Sequence, residues 1–112
     1  MGIAAAEKLL PLKANWLQIL LSLAGEARHG YAIMQEVAER TGGKQRLWPA
    51  TLYGTIRQLE QAELVRSDPD RGGDPRRRCY GLTPFGREVL RAEMRRLEQL
   101  IRLARARGVA GR

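Results

Sequence analysis

The sequence predicts a mainly α fold with a small β-hairpin, ending in one long helix. Apolar residues recur at three- and four-residue steps in four separate segments, the mark of helices with one buried face. Between the third and fourth lies a stretch with Pro, Asp and Gly-Gly flanked by short alternating runs, which is hairpin chemistry. With 112 residues, 44% hydrophobic and 29% charged, the chain fits one folded domain. A chain this short has little room for an enclosed catalytic cavity, and a second subunit that shares its core is expected.

The first helix is expected over residues 11–24, where Leu12, Trp16, Leu17, Ile19, Leu20 and Leu23 make it apolar on most sides, with Gly25 as its stop. The second is expected over residues 30–41, with Tyr31, Met34, Val37 and Ala38 as its stripe and Gly42-Gly43 as the break. Pro49 suits the first position of a third helix running to about Ala62, with Leu52, Ile56 and Leu59 buried. On a helical wheel Ala50, Gly54, Arg57, Gln58 and Gln61 fall opposite that stripe, with Thr51 and Tyr53 on the flanks. A mid-helix Gly costs about 1 kcal/mol relative to Ala, so Gly54 asks for a reason. Close approach of something large is such a reason. The major groove admits a helix in this way, and Arg, Gln and Thr read base edges there.

Residues 64–68 and 76–82 form the hairpin, whose tip carries Arg71, Arg76, Arg77 and Arg78. Clustered Arg at such a tip suits phosphate or minor-groove contact. Thr83-Pro84 then opens the last helix, which runs to about Arg107 before Gly108. Leu90, Met94, Leu97, Ile101 and Ala104 repeat at steps of 4, 3, 4 and 3, a heptad seam that Val89 and Leu100 widen. This helix is too long for the rest of the chain to cover, so its partner is expected to be the same helix of a second copy.

The charge points the same way. The net charge is +8, and 17 of the 20 basic residues are Arg. Residues 1–43 are neutral, so residues 44–112 carry the whole excess. A basic region rich in Arg is the footprint of a nucleic-acid partner. Other classes fall away. One Cys (Cys79) allows no intrachain disulfide, and one His (His29) with one Cys makes no structural zinc site. His29 sits in no nucleophile motif, and no metal, cofactor or catalytic site is expected. The longest apolar run is too short and too polar for a bilayer, and the N-terminus has no signal-peptide pattern, so no membrane association and a cytoplasmic location are expected.

Helix, helix, helix with an exposed polar face, then basic hairpin is the order of a winged helix-turn-helix. On His29-Gly30-Tyr31, Pro49-Ala50-Thr51-Leu52-Tyr53, Leu59-Glu60 and Tyr80-Gly81-Leu82-Thr83-Pro84-Phe85-Gly86-Arg87, the chain resembles the PadR family of bacterial transcriptional regulators, in its short form with a single C-terminal helix. The resemblance covers roughly residues 12–107 and rests on the joint order of these pieces. It implies a homodimer that binds a near-palindromic operator on double-stranded DNA and represses. It also leaves room for release by a small apolar or aromatic effector. Residues 1–83 would be the DNA-binding part, 84–108 the dimerisation helix and 109–112 a flexible tail. The DNA-contacting set would be Lys44, Ala50, Thr51, Tyr53, Gly54, Arg57, Gln58, Arg71, Arg76, Arg77 and Arg78. The dimer contact would be Leu90, Met94, Leu97, Ile101 and Ala104.

The sequence departs from that pattern in places. Glu63 stands where the turn before Leu64 usually has Gly. Trp48 takes an N-cap position that Ser, Thr, Asn or Asp normally fill; it is expected as a core anchor, with a pocket wall as the alternative. Cys79 reads as a small buried strand residue before a redox sensor. His29 reads as a capping or packing residue. No aromatic lies between Arg87 and Arg112, so an aromatic sandwich between dimer helices is not expected. Two other readings compete. A winged helix can serve as a protein-interaction module, but nothing then needs Gly54. An RNA-binding winged helix would show exposed aromatics for stacking bases.

Overall fold

The computed structural model describes residues 3–68 and 78–109. In chain order these form α1 (Ile3–Glu7), α2 (Ala14–Ser22), β1 (Arg28–His29), α3 (Gly30–Arg40), α4 (Pro49–Gln61), β2 (Val65–Ser67), β3 (Cys79–Leu82) and α5 (Pro84–Ala106). Helices α2, α3 and α4 enclose one core with the start of α5, and α1 packs on α5. The expected hairpin is β2 with β3, paired antiparallel from Val65–Leu82 to Ser67–Tyr80. A third strand, β1, adds to the other edge of β3, with Arg28 opposite Tyr80 and His29 opposite Cys79. Residues 69–77 and 110–112 lie outside the described residues, and with them Arg71, Arg76, Arg77 and most of the expected tail.

The core keeps the stripe expected for α4. Leu52, Ile56 and Leu59 are buried, and Thr55 joins them. In α3 the expected stripe is displaced. Gly30, Ile33 and Val37 face the core, whereas Tyr31 is 63% exposed. The two stripes are adjacent on the wheel, and contact with α2 selects the one with the slimmer side chains. Trp48 is likewise no core anchor, being 66% exposed, and Leu47 is buried in its place. The first apolar helix is shorter than residues 11–24, because Pro11 and Leu12 precede it as an extended turn.

The end of α2 is tied down by arginines rather than by a glycine. Arg28 Nε donates to the Ser22 carbonyl at 2.7 Å, and Arg40 Nη2 donates to the Gln18 carbonyl at 2.9 Å. Glu36 pairs with both arginines, at 3.2 Å and 2.9 Å, which fixes α3 against α2. Cations at a helix C-terminus satisfy carbonyls that have no partner within the helix.

Two junctions set the direction of α5. Glu63 has φ +64°, and the amides of Glu63 and Leu64 return to the carbonyls of Glu60 and Leu59 at 2.9 Å. This is the left-handed turn that usually ends a helix on Gly. Thr83 then caps α5 by accepting from Gly86 N at 2.8 Å, and its hydroxyl donates to the Glu63 carbonyl at 2.6 Å. Gly86 lies so close to Leu64 that a Cβ there would run into the Leu64 carbonyl. Farther along, Glu93 is buried, accepts from Leu12 N at 3.0 Å and pairs with Arg96 at 2.6 Å. The Arg96 hydrogen bond holds the Glu93 carboxyl below its usual value, helped by the Leu12 amide and opposed by burial.

Helix α5 has 23 residues, about 35 Å at 1.5 Å per residue. Val89, Leu90 and Ala92 are spent on the chain's own core, so Leu90 does not belong to an uncovered seam, and Met94 is partly buried against the same core. Past Met94 the helix outruns the body. Leu100, Ile101 and Leu103 are 49%, 45% and 49% exposed, with Leu97 and Ala104 half-buried among them.

Candidate nucleic-acid interface

The outer side of α4 follows from its inner one. With Leu52, Ile56 and Leu59 fixed inward, Ala50, Gly54, Arg57 and Gln61 lie along one outward line, and Ala50, Arg57 and Gln61 are exposed. A Cβ built on Gly54 meets only the Arg57 guanidinium, at 3.9 Å. The fold therefore does not exclude a side chain at position 54, and the bare surface there is no product of intrachain packing. Thr51 is exposed at the start of the helix and Lys44 in the loop before it.

The two flanks of that face have structural duties. Tyr53 is half-buried against α3. Its hydroxyl and ring lie where a side chain on residue 30 would be, so Gly30 is small because Tyr53 covers it. Gln58 is exposed, yet its Oε1 accepts from Trp16 Nε1 at 3.2 Å, which ties α4 to α2. Ala50, Thr51, Gly54 and Arg57 thus form an outward group, and Tyr53 and Gln58 brace it from either side.

The sheet adds the second element. Arg78, the described member of the arginine cluster, is exposed just before β3. Arg66 on β2 pairs with Asp68 at 3.0 Å, and the Asp68 amide donates to the Cys79 carbonyl, closing the base of the wing. Tyr80 is buried beneath it. Burial, with Tyr53 and Glu60 nearby, holds its hydroxyl above the usual tyrosine value, while Arg78 pulls the other way. Cys79 is half-buried, and its Sγ lies 3.4 Å from His29 Nδ1 across the strand pair. His29 is exposed and takes the N-cap position of α3 without a side-chain cap bond, so it does not cap that helix; its ring lies against Cys79. Among the described residues no cluster of His, Cys, Asp and Glu could hold a metal ion, and no helix is long and apolar enough to cross a membrane.

A helix with a bare polar face beside a short antiparallel wing is the arrangement expected from the sequence. The model of the transcriptional regulator PadR-like family matches residues 19–92, two thirds of the chain, from within α2 to the inner part of α5. The chain belongs to the PadR-like family. A transcriptional regulator of Mycobacterium tuberculosis is 38% identical over 86 residues, which covers 77% of this chain and 78% of that protein. An uncharacterized 37.1 kDa protein of a Streptomyces fradiae transposon is 39% identical over 82 residues, covering 73% of this chain. The chain spans only 22% of that relative. Among solved structures, RosR of H. salinarum superposes with a TM-score of 0.72 at 27% identity, covering 83% of this chain and 80% of that one. A PadR family transcription regulator of Clostridium difficile gives a TM-score of 0.68 at 23% identity, covering 84% and 97%. The winged-helix architecture of these regulators is therefore the architecture of this PadR-like chain, and its family is one of regulators rather than enzymes.

The sequence did not anticipate the exposure of Tyr31; for Trp48 it is the alternative of a pocket wall, not the core anchor, that the structure bears out. A signal was present: a Trp at an N-cap position neither caps the helix nor, beside Leu47, is needed for the core.

Proposed function

We propose that this PadR-like chain is a homodimeric repressor that binds a near-palindromic operator on double-stranded DNA. Helix α4 enters the major groove, and the wing follows the backbone or the minor groove. Residues 1–83 supply the DNA-binding part, and the helix over 84–108 joins the two copies through Leu97, Ile101 and Ala104. The observation that carries this reading is Gly54, a helix-interior glycine on an outward face where the chain itself leaves room for a side chain. Ala50 beside it and Arg57 one turn on give that face a shallow floor and a fork of donors that suits guanine. The net charge of +8 lies in residues 44–112, the part of the sequence that holds α4, the wing and α5.

Duplex binding measured against salt tests it. The logarithm of the binding constant should fall by about 0.9 per phosphate contact for each tenfold rise in salt. Arg78→Ala should weaken binding to all duplexes alike and flatten the slope by about one contact. Arg57→Ala should cost about 1–3 kcal/mol on the preferred sequence and relax the preference at one position. Equal affinity of the unaltered protein for every duplex would rule the proposal out.

A further inference from the structure

Apart from α5 and Val109 beyond it, the large apolar side chains left exposed among the described residues are Tyr31 and Trp48. They line one open groove of about 300 Å³ together with Met34, Pro49 and Arg46. Exposed apolar patches rimmed by polar groups mark interaction surfaces. Four features say what this one takes. No acidic residue lines the groove, and Arg46 in it and Lys44 two residues earlier are exposed with no carboxylate partner among the described residues, so the complement is an anion. The groove is open along its length, whereas small-molecule sites enclose most of their ligand. One of its lining residues, Pro49, is the first residue of α4 and is followed directly by the exposed Ala50 and Thr51. Trp48 makes no side-chain cap bond, which leaves the first amides of α4 to an outside acceptor.

We propose that this groove receives the sugar–phosphate backbone of the duplex at the edge of the sequence read by α4. Arg46 pairs with a phosphate, and the Trp48 indole packs on the adjoining deoxyribose with Tyr31 opposite. The groove then fixes the register of α4 and carries no base preference of its own, as backbone contacts do. This rests on the reading of α4 as a DNA-binding helix.

The test uses the full chain labelled with 5-fluorotryptophan, whose two resonances, Trp16 and Trp48, are assigned with Trp48→Phe. A duplex that binds should shift the Trp48 resonance and leave that of Trp16 in place. Trp48→Ala and Arg46→Ala should each weaken binding about tenfold, the loss of one charge-assisted or stacking contact, on preferred and unrelated duplexes alike. Trp48→Phe, which keeps a flat apolar surface, should retain most of the affinity. Because both side chains are exposed, the thermal midpoints should match that of the unaltered protein. Trimming the base pairs that flank the α4 site should abolish the difference between variants and unaltered protein. The proposal is overturned if both alanine variants bind duplex with unaltered affinity while the Trp48 resonance stays still. It is also overturned if that resonance answers to a small aromatic molecule and not to DNA. Failure of the unaltered protein to bind any duplex would instead remove the reading of α4 together with this one.

Discussion

Replacing Gly54 with alanine separates what the fold needs from what the DNA needs. The site is the sixth position of a 13-residue helix, and the added methyl meets only the Arg57 guanidinium at 3.9 Å, an ordinary contact. Nothing in the chain has to move. The helix gains the Gly-to-Ala propensity difference, about 1 kcal/mol, which for a domain of this size raises the thermal midpoint by about 4 °C. In the proposed complex the methyl would also stand on the surface that faces the groove floor. Holding α4 away from the bases should cost one close contact, a loss of roughly tenfold in affinity for the preferred duplex. Calorimetry and fluorescence anisotropy on the same preparation read both effects. Gly86→Ala is the internal control with the opposite sign. Its methyl would strike the Leu64 carbonyl, a backbone atom held by Thr83, so it should destabilise by several kcal/mol, among the large effects that steric conflict produces. If Gly54→Ala lowers the midpoint, or raises it with no loss of affinity, the argument from the bare helix face is wrong.

Glu63→Gly should stabilise the protein by about 1 kcal/mol, since φ +64° strains any residue with a Cβ and the two return hydrogen bonds of the turn are backbone only; chemical denaturation reads it. Glu93→Gln should destabilise by about 2 kcal/mol, because it weakens the bonds to Arg96 and to the Leu12 amide. Since the folded carboxyl is held below its ordinary value, its contribution is complete above the unfolded value and fades as pH falls through the folded one. The acid limb of the unaltered protein should therefore be steeper than that of Glu93→Gln in urea titrations between neutral pH and pH 3. Ile101→Glu places a charge in the uncovered half of α5 and should leave a folded monomer in sedimentation, with weaker binding to a two-half-site duplex.

The helical wheel of α4 was legible because its buried stripe, its opening Pro and its bare face all occur within 13 residues. The cap of α5 was legible for a similar reason: Thr83 bonds to an amide three residues on. Contacts that join distant parts of the chain were not. Glu93 is buried because Leu12, 81 residues away, presents an amide to it, and no local pattern records that pairing. Tyr31 and Ile33 both carry apolar surface on one short helix, and the fit against α2 and α4 sets which of them turns inward. Helix α1 has five residues and one fully buried alanine, too little to stand out before α5 supplies the surface it rests on. The two residues of β1 become a strand only because β3 lies beside them. On the outer side of α4, the sequence marked Ala50, Thr51, Gly54 and Arg57 as the residues turned away from the core. Tyr53 and Gln58, expected on the same face, also carry contacts within the fold, to residue 30 and to Trp16, that no local pattern records.

In the proposed complex two copies of α4 read two halves of one duplex. Selection of bound duplexes from a random pool by the full chain tests it most directly. A two-fold symmetric consensus with half-sites about one helical turn, roughly 34 Å, apart is the expected result. Recovery of duplexes with no shared sequence, or of a single asymmetric site bound by one copy, would contradict it.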